Sequence, residues 1–339
     1  MAIFSYISGV AGTELTETER ALFRERPPWG AILFARNIAD PDQVRALVTS
    51  IREILGREDA PVLIDQEGGR VQRLRPPHWP EYPPASVYAD IFDDDSDAGH
   101  RAAWTGGRLI GEDLHELGIN VDCLPVADIS FPETHDVIGD RAYGDSPEKV
   151  IALATSAAEG LMQAGVLPVL KHIPGHGRAK SDSHKELPIV TASRTRLETM
   201  DFAAFAGLHH LPMAMTAHVV YTAIDRDNCA TNSRKVIREI IRGDIGFDGL
   251  LMSDDLSMKA LTGAFEERAA QALDAGCDIA LHCNGDIDEM RAVAAGSRVL
   301  AGDSADRAER AMKQAVRRSC DTHALRETFR ALTGYGVAS

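Results

Sequence analysis

Eight short apolar runs recur along the chain, at residues 3–10, 31–35, 61–65, 119–126, 167–172, 213–218, 250–254 and 278–282. Stretches with the spacing of amphipathic helices separate them, among them residues 41–55, 99–117, 147–164, 194–206 and 232–242. Strands that are apolar on both faces and alternate with helices belong in a parallel sheet covered on both sides. Eight such units in 339 residues predict an α/β fold, a single (β/α)8 TIM-like barrel. Residues 303–333 read as further helices packed on that barrel, and no low-complexity linker or short repeat interrupts the chain. Residues 1–339 are therefore read as one barrel domain.

In such a barrel the chemistry sits on loops at the C-terminal ends of the strands, so polar residues at those ends carry the functional reading. The fifth run leads into Lys171-His172-Ile173-Pro174-Gly175-His176-Gly177, followed by Asp182-Ser183-His184. Gly175 and Gly177 disfavour a helix and let backbone approach a ligand closely. Asp182 and His184 are two apart, which suits an extended loop. There the carboxylate can orient and charge-stabilise an imidazole that gives or takes a proton near neutral pH. A merely solvated loop is the alternative, and three histidines with two glycines after a buried strand weigh against it.

The third run ends Asp65-Gln66-Glu67-Gly68-Gly69-Arg70-Val71-Gln72-Arg73. A carboxylate and a guanidinium there can grip hydroxyls by forked hydrogen bonds, or simply form an ion pair that caps the turn. The fourth run ends on Asp128, and a glycine-flanked loop then presents Arg141, with pairing to Asp128 or Asp140 as its plainer role. Lys171 beside several carboxylates stays charged, which suits hydrogen bonding rather than Schiff-base chemistry. The sixth run delivers His218 to the same rim, with packing under the site and substrate contact both open. The seventh runs into Ser253-Asp254-Asp255, and adjacent carboxylates on a strand face opposite ways and so do different jobs.

These segments carry a resemblance. Lys171 to Gly177 with Asp182-Ser183-His184 is similar to the signature of family 3 glycoside hydrolases, in the β-N-acetylglucosaminidase branch that the Asp-x-His loop distinguishes. Asp65 to Arg73, the strand ending on Asp128, the loop around Arg141, Ala217-His218-Val219 and Ser253-Asp254 resemble further segments of that family. The resemblance spans about residues 13–284. It implies Asp254 as nucleophile, His184 as acid/base and Asp182 as the group that orients His184. It implies Asp65, Arg73, Arg141, Lys171 and His172 as sugar-binding residues, with Asp255, Arg70 and Asp278 structural.

The implied reaction is retaining hydrolysis of terminal β-linked N-acetylglucosamine through a covalent glycosyl-enzyme. The implied substrates are N-acetylglucosaminyl-1,6-anhydro-N-acetylmuramyl peptides of bacterial cell-wall recycling. A neutral imidazole repels an incoming anion less than a carboxylate does, so phosphorolysis in place of hydrolysis is one alternative. A non-catalytic muropeptide-binding barrel is another. A metal-dependent hydrolase is a third, disfavoured because Lys171 stands among the histidines and no His-x-His follows the first run; no cofactor and no metal are expected.

Composition bounds the partners. A net charge of −15 argues against nucleic acid and against an anionic membrane surface. Cys123, Cys229, Cys277, Cys283 and Cys320 show no paired spacing, which fits a reducing compartment. With no basic leader and no long apolar segment at the N-terminus, a cytoplasmic enzyme acting as a monomer or weak oligomer is expected.

Overall fold

The computed structural model describes residues 2–132, 137–179, 181, 183 and 186–335. The eight apolar runs become eight parallel strands: β1 (Phe4–Gly9), β2 (Pro28–Leu33), β3 (Val62–Ile64), β4 (Val121–Asp122), β5 (Leu167–Ile173), β6 (Met213–Thr216), β7 (Leu250–Asp255) and β8 (Ile279–His282). Each pairs with its neighbours in sequence, and Tyr6 opposite Ala280 closes β1 on β8, so the sheet is a closed barrel. The expected α/β barrel is the fold observed.

Two strands differ from the hydropathy pattern. β2 starts at Pro28 rather than residue 31. A proline is tolerated at the first residue of a strand, where its missing N–H costs no ladder bond, and the preceding Pro27 carbonyl accepts from the Phe4 N–H at 2.9 Å. β4 is short, yet its ladder to β5 continues beyond it. Val169 N donates to Leu124 O at 3.0 Å, Lys171 N to Pro125 O at 3.0 Å, and Ala127 N to Lys171 O at 2.7 Å. That extension carries β4 to the rim at Asp128.

Side chains alternate along every strand. Ile7, Ile32, Leu63, Val121, Val169, Met213, Met252 and Leu281 fill the barrel interior. Their neighbours Tyr6, Ala31, Leu33, Val62, Ile64, Ala214, Leu251 and Ala280 point outward into the layer beneath the helices. Runs apolar on both faces are what this double burial requires.

The helices start where caps allow. Asp40 accepts from Gln43 N at 2.9 Å with Pro41 in the first helical position, so the helix is Pro41–Leu55. The helix expected over 232–242 begins at residue 234, because Ser233 Oγ accepts from Val236 N at 3.1 Å and sets the start, and it runs on in wider π-type turns over Val236–Asp244. Over 194–206 the chain is helical but carries a wider π-type turn at Leu197–Asp201. The C-terminal helices are Asp303–Met312 and Thr322–Thr333. Asp278 at the foot of β8 accepts from Ser304 Oγ at 2.6 Å and Arg307 at 3.2 Å, and Phe329 packs against Tyr82 and Tyr88. Among the described residues no helix is long and apolar enough to cross a membrane.

Candidate active site

A cleft of about 740 Å³, open to solvent, lies over the C-terminal ends of the strands. Asp65, Arg73, Arg141, Lys171, His172 and Asp254 all line it. They come from four separate stretches of the chain, so closure of the barrel is what assembles them. Asp182 and His184 lie outside the described residues.

Lys171, near the end of β5 and almost fully buried, is the hub. Its Nζ sits 2.9 Å from Asp65 Oδ1 and 2.6 Å from Glu67 Oε1. The other Asp65 oxygen accepts from Arg73 Nη2 at 3.0 Å. Glu67 accepts both prongs of the Arg141 fork at 2.8 Å each. A bidentate guanidinium–carboxylate pair fixes orientation as well as charge. Burial pushes the Asp65 and Glu67 carboxyls up, but the adjacent cations more than reverse it. Asp65 ends well below the usual carboxylate range and Glu67 at about 2. For Lys171 burial pulls the ammonium down, and Asp65 and Glu67 lift it above its ordinary value. All three are charged at neutral pH, as a grip on hydroxyls requires.

Glu67 is the residue that the sequence does not single out, and it replaces only the ion-pair partners expected for Arg141. Arg141 pairs with Glu67 rather than with Asp128 or Asp140; Arg70 takes Asp140, at 2.9 Å. The available signal was parity, since Glu67 is two residues past Asp65 and extended chain puts i and i+2 on one side. Between them, Gln66 turns away and accepts from Arg73 N and Leu74 N at 2.9 and 3.0 Å, which closes the 66–72 hairpin.

Asp128 is fully buried and organises the second half of the site. Its Oδ2 is 2.6 Å from His172 Nδ1, and its Oδ1 accepts from His176 N at 2.6 Å. Asp128 thus fixes the His172 ring that faces the cleft. Gly177 permits a close approach, but to the protein itself: a Cβ there would stand 2.0 Å from the Ile129 carbonyl oxygen. Gly175, at φ +133°, takes a backbone conformation that side chains disfavour. Gly177 therefore seats the loop against the end of β4 and Gly175 lies against Asp201 and Phe205, whereas the sequence suggests that both approach a ligand.

His176 is buried beside His172, with Nε2 3.3 Å from Ser183 Oγ. Burial, reinforced by His172, pulls its pKa down to about 4. The folded protein thus holds it neutral, while the unfolded chain takes up a proton near the ordinary value of 6.5. As pH falls from 6.5 towards 4 the unfolded state binds protons first and stability is lost, by up to about 3 kcal/mol. We expect wild type to lose stability relative to His176→Gln by that order over this window in thermal melts. Asp201, whose burial lifts its carboxyl to about 6, works in the opposite sense but is common to both proteins.

β7 brings the last group. Asp254 is 6% exposed at the cleft floor, its Oδ1 accepting from Asp255 N at 2.8 Å. Asp255 Oδ1 accepts from Ser257 N and Cys283 N, both at 3.0 Å, so it holds the turn after β7 against β8. The two neighbouring carboxylates have separate jobs, one facing the cleft and one built into the wall.

The arrangement is a polar socket with a carboxylate at its floor, suited to holding a hydroxyl-rich ring by hydrogen bonds. Comparison with known proteins gives the same direction. The glycosyl hydrolase family 3 N-terminal domain matches residues 11–319, which include every cleft residue discussed above. A beta-hexosaminidase of Alkalilimnicola ehrlichii is 40% identical over 288 residues, covering 84% of this chain and 82% of that protein. A beta-hexosaminidase of Methylococcus capsulatus is 40% identical over 280 residues, covering 81% of each. Among solved structures, NagZ from Neisseria gonorrhoeae in complex with N-trifluoroacetyl-D-glucosamine superposes with a TM-score of 0.88 at 32% identity, over 98% of both chains. The chain belongs to glycosyl hydrolase family 3.

Proposed function

We propose that the protein is a retaining exo-β-N-acetylglucosaminidase that removes terminal, non-reducing β-linked N-acetylglucosamine. The observation that carries this reading is the pairing of Asp254 with the Asp65–Lys171–Glu67–Arg141 cage across one cleft. The cage grips the hydroxyls of a terminal sugar, and the carboxylate waits beneath the anomeric carbon. The kinship with beta-hexosaminidases and with a NagZ that binds an N-acylglucosamine supports the 2-acetamido sugar.

In the first step Asp254 attacks the anomeric carbon and the glycosidic bond breaks. Protonated His184, oriented by Asp182, gives its proton to the leaving oxygen. In the second, neutral His184 takes a proton from water, whose oxygen opens the glycosyl ester and releases Asp254. His172, fixed by Asp128, and Arg73 complete the grip on the sugar. N-acetylglucosaminyl-1,6-anhydro-N-acetylmuramyl peptides from peptidoglycan recycling are the substrates of this reading. Its setting is the cytoplasm, where the five free thiols stay reduced.

The test is release of p-nitrophenol from p-nitrophenyl N-acetyl-β-D-glucosaminide, with and without a chelator. Turnover unaffected by the chelator is expected. Binding of N-acetylglucosamine with no turnover would leave only a binding protein, and loss of activity with the chelator would demand a metal. Addition of phosphate should leave N-acetylglucosamine as the product, and a sugar 1-phosphate in its place would make the enzyme a phosphorylase.

A further inference from the structure

Behind Asp254, on the side away from the cleft, lie three fully buried polar side chains: Thr216 at the end of β6, His218 just beyond it, and Thr231. They form one connected chain. Asp254 N donates to Thr216 Oγ1 at 3.3 Å, and Thr216 Oγ1 stands 2.7 Å from Thr231 Oγ1. Thr231 Oγ1 is 2.7 Å from His218 Nδ1 and 3.2 Å from the Ala217 carbonyl. The other ring nitrogen, Nε2, is 3.0 Å from the Asp255 carbonyl oxygen. One imidazole therefore holds the Asp254–Asp255 segment at both ends, directly at one carbonyl and through two hydroxyls at one N–H.

Counting protons decides the state of that ring. A carbonyl cannot donate, so Nε2 carries a proton for Asp255 O. Thr231 has one proton, and the Ala217 carbonyl can only accept it. Thr216 accepts from Asp254 N and passes its own proton to Thr231. The contacts with Thr231, Thr216, Ala217 and Asp255 are all satisfied only if Nδ1 also carries a proton and donates to Thr231, and Cys229, hydrogen-bonded to the ring, favours the same cation. A neutral ring would draw the Thr231 proton to Nδ1 and leave the Ala217 contact unfilled.

We propose that His218 is a positioning residue for the nucleophile: protonated on both ring nitrogens, it clamps the Asp254–Asp255 segment from behind and offsets the charge of the Asp254 carboxylate. This rests on the hydrolase reading above. The groups that face the ring are the Asp254 carboxylate, the Asp255 carbonyl and the Cys229 thiol. Burial disfavours the cation, but hydrogen bonding with Cys229, the Asp254 charge and the Asp255 carbonyl together raise the ring to about 9. A strand-end nucleophile needs its backbone fixed, because misplacement by about 1 Å costs on the order of 10²-fold in rate.

Two readouts test it on the full chain. Nitrogen NMR of histidine-labelled protein, with His218 assigned by His218→Gln, should show both His218 nitrogens protonated at neutral pH; a singly protonated ring overturns the proposal. In the p-nitrophenyl glycoside assay, His218→Gln should lower kcat about 10²-fold with KM little changed. It should also move the acid limb of kcat/KM to higher pH, since Asp254 loses a neighbouring cation. Thr231→Val should lower kcat without moving that limb, and Thr231→Ser should restore it. Variants that keep the wild-type kcat and acid limb overturn the role. If His218→Gln fails to fold, the Thr231 pair and the wild-type spectrum still decide. A wild type that does not turn over defeats the hydrolase reading and the role with it, while the spectrum separately reports whether the clamp exists.

Discussion

Asp254→Ala should abolish turnover, lowering kcat on the order of 10⁴–10⁶-fold, while the protein stays folded and still binds N-acetylglucosamine. The side chain sits at the cleft floor, so its loss removes the attacking carboxylate and leaves the residues of the sugar grip in place. The hydrogen bond it accepts from Asp255 N is local, and Asp255 keeps its own ties to Ser257 and Cys283. In the proposed mechanism, removing the nucleophile stops the covalent step, whereas the sugar grip belongs to other residues. Steady-state kinetics, with calorimetric titration of N-acetylglucosamine, check both halves. Loss of binding in parallel with rate would instead make Asp254 part of the grip.

Lys171→Met should be the most disruptive substitution for the site as a structure. It leaves Asp65 and Glu67 facing one another without the ammonium that sits between them. A wholly stranded buried charge costs about 3–5 kcal/mol; here Asp65 keeps Arg73 and Glu67 keeps Arg141, so the loss is a part of that figure. The double variant Lys171→Met, Glu67→Gln should recover part of that loss, because one of the stranded charges is gone. Denaturant unfolding of the two single variants and the double measures the coupling. Activity should fall in Lys171→Met by at least 10²-fold, the order seen when one preorganised donor is removed from a site. Equal stability of Lys171→Met and wild type would mean that solvent already screens the cage.

The barrel was legible because its strands are buried on both faces, and double burial writes continuous apolar runs into the sequence. The polar residues that end those runs were legible for the same reason, since Asp65, Lys171, His172 and Asp254 interrupt an apolar pattern where a strand must stop. Partnerships were not. Glu67 meets Arg141 across a separation of 74 residues, and the pairing depends on how β3 and the loop after β4 meet once the barrel closes. Asp128 was visible as a strand end, but its grip on His172 appears only when β4 and β5 lie side by side. His218 was readable as a rim histidine, and only the positions of Thr231 and Asp255 give it a task. Helix boundaries followed caps such as Ser233 rather than the apolar period.

In the proposed mechanism Asp254 forms a covalent bond to the anomeric carbon of a terminal N-acetylglucosamine. It is tested most directly by mass spectrometry after incubation with a fluorinated N-acetylglucosaminyl fluoride, which forms the glycosyl ester quickly and loses it slowly. One added sugar per chain, mapped to the peptide that contains Asp254, is expected, with no adduct on Asp254→Ala. Turnover without any adduct, or an adduct on another carboxylate, would contradict it.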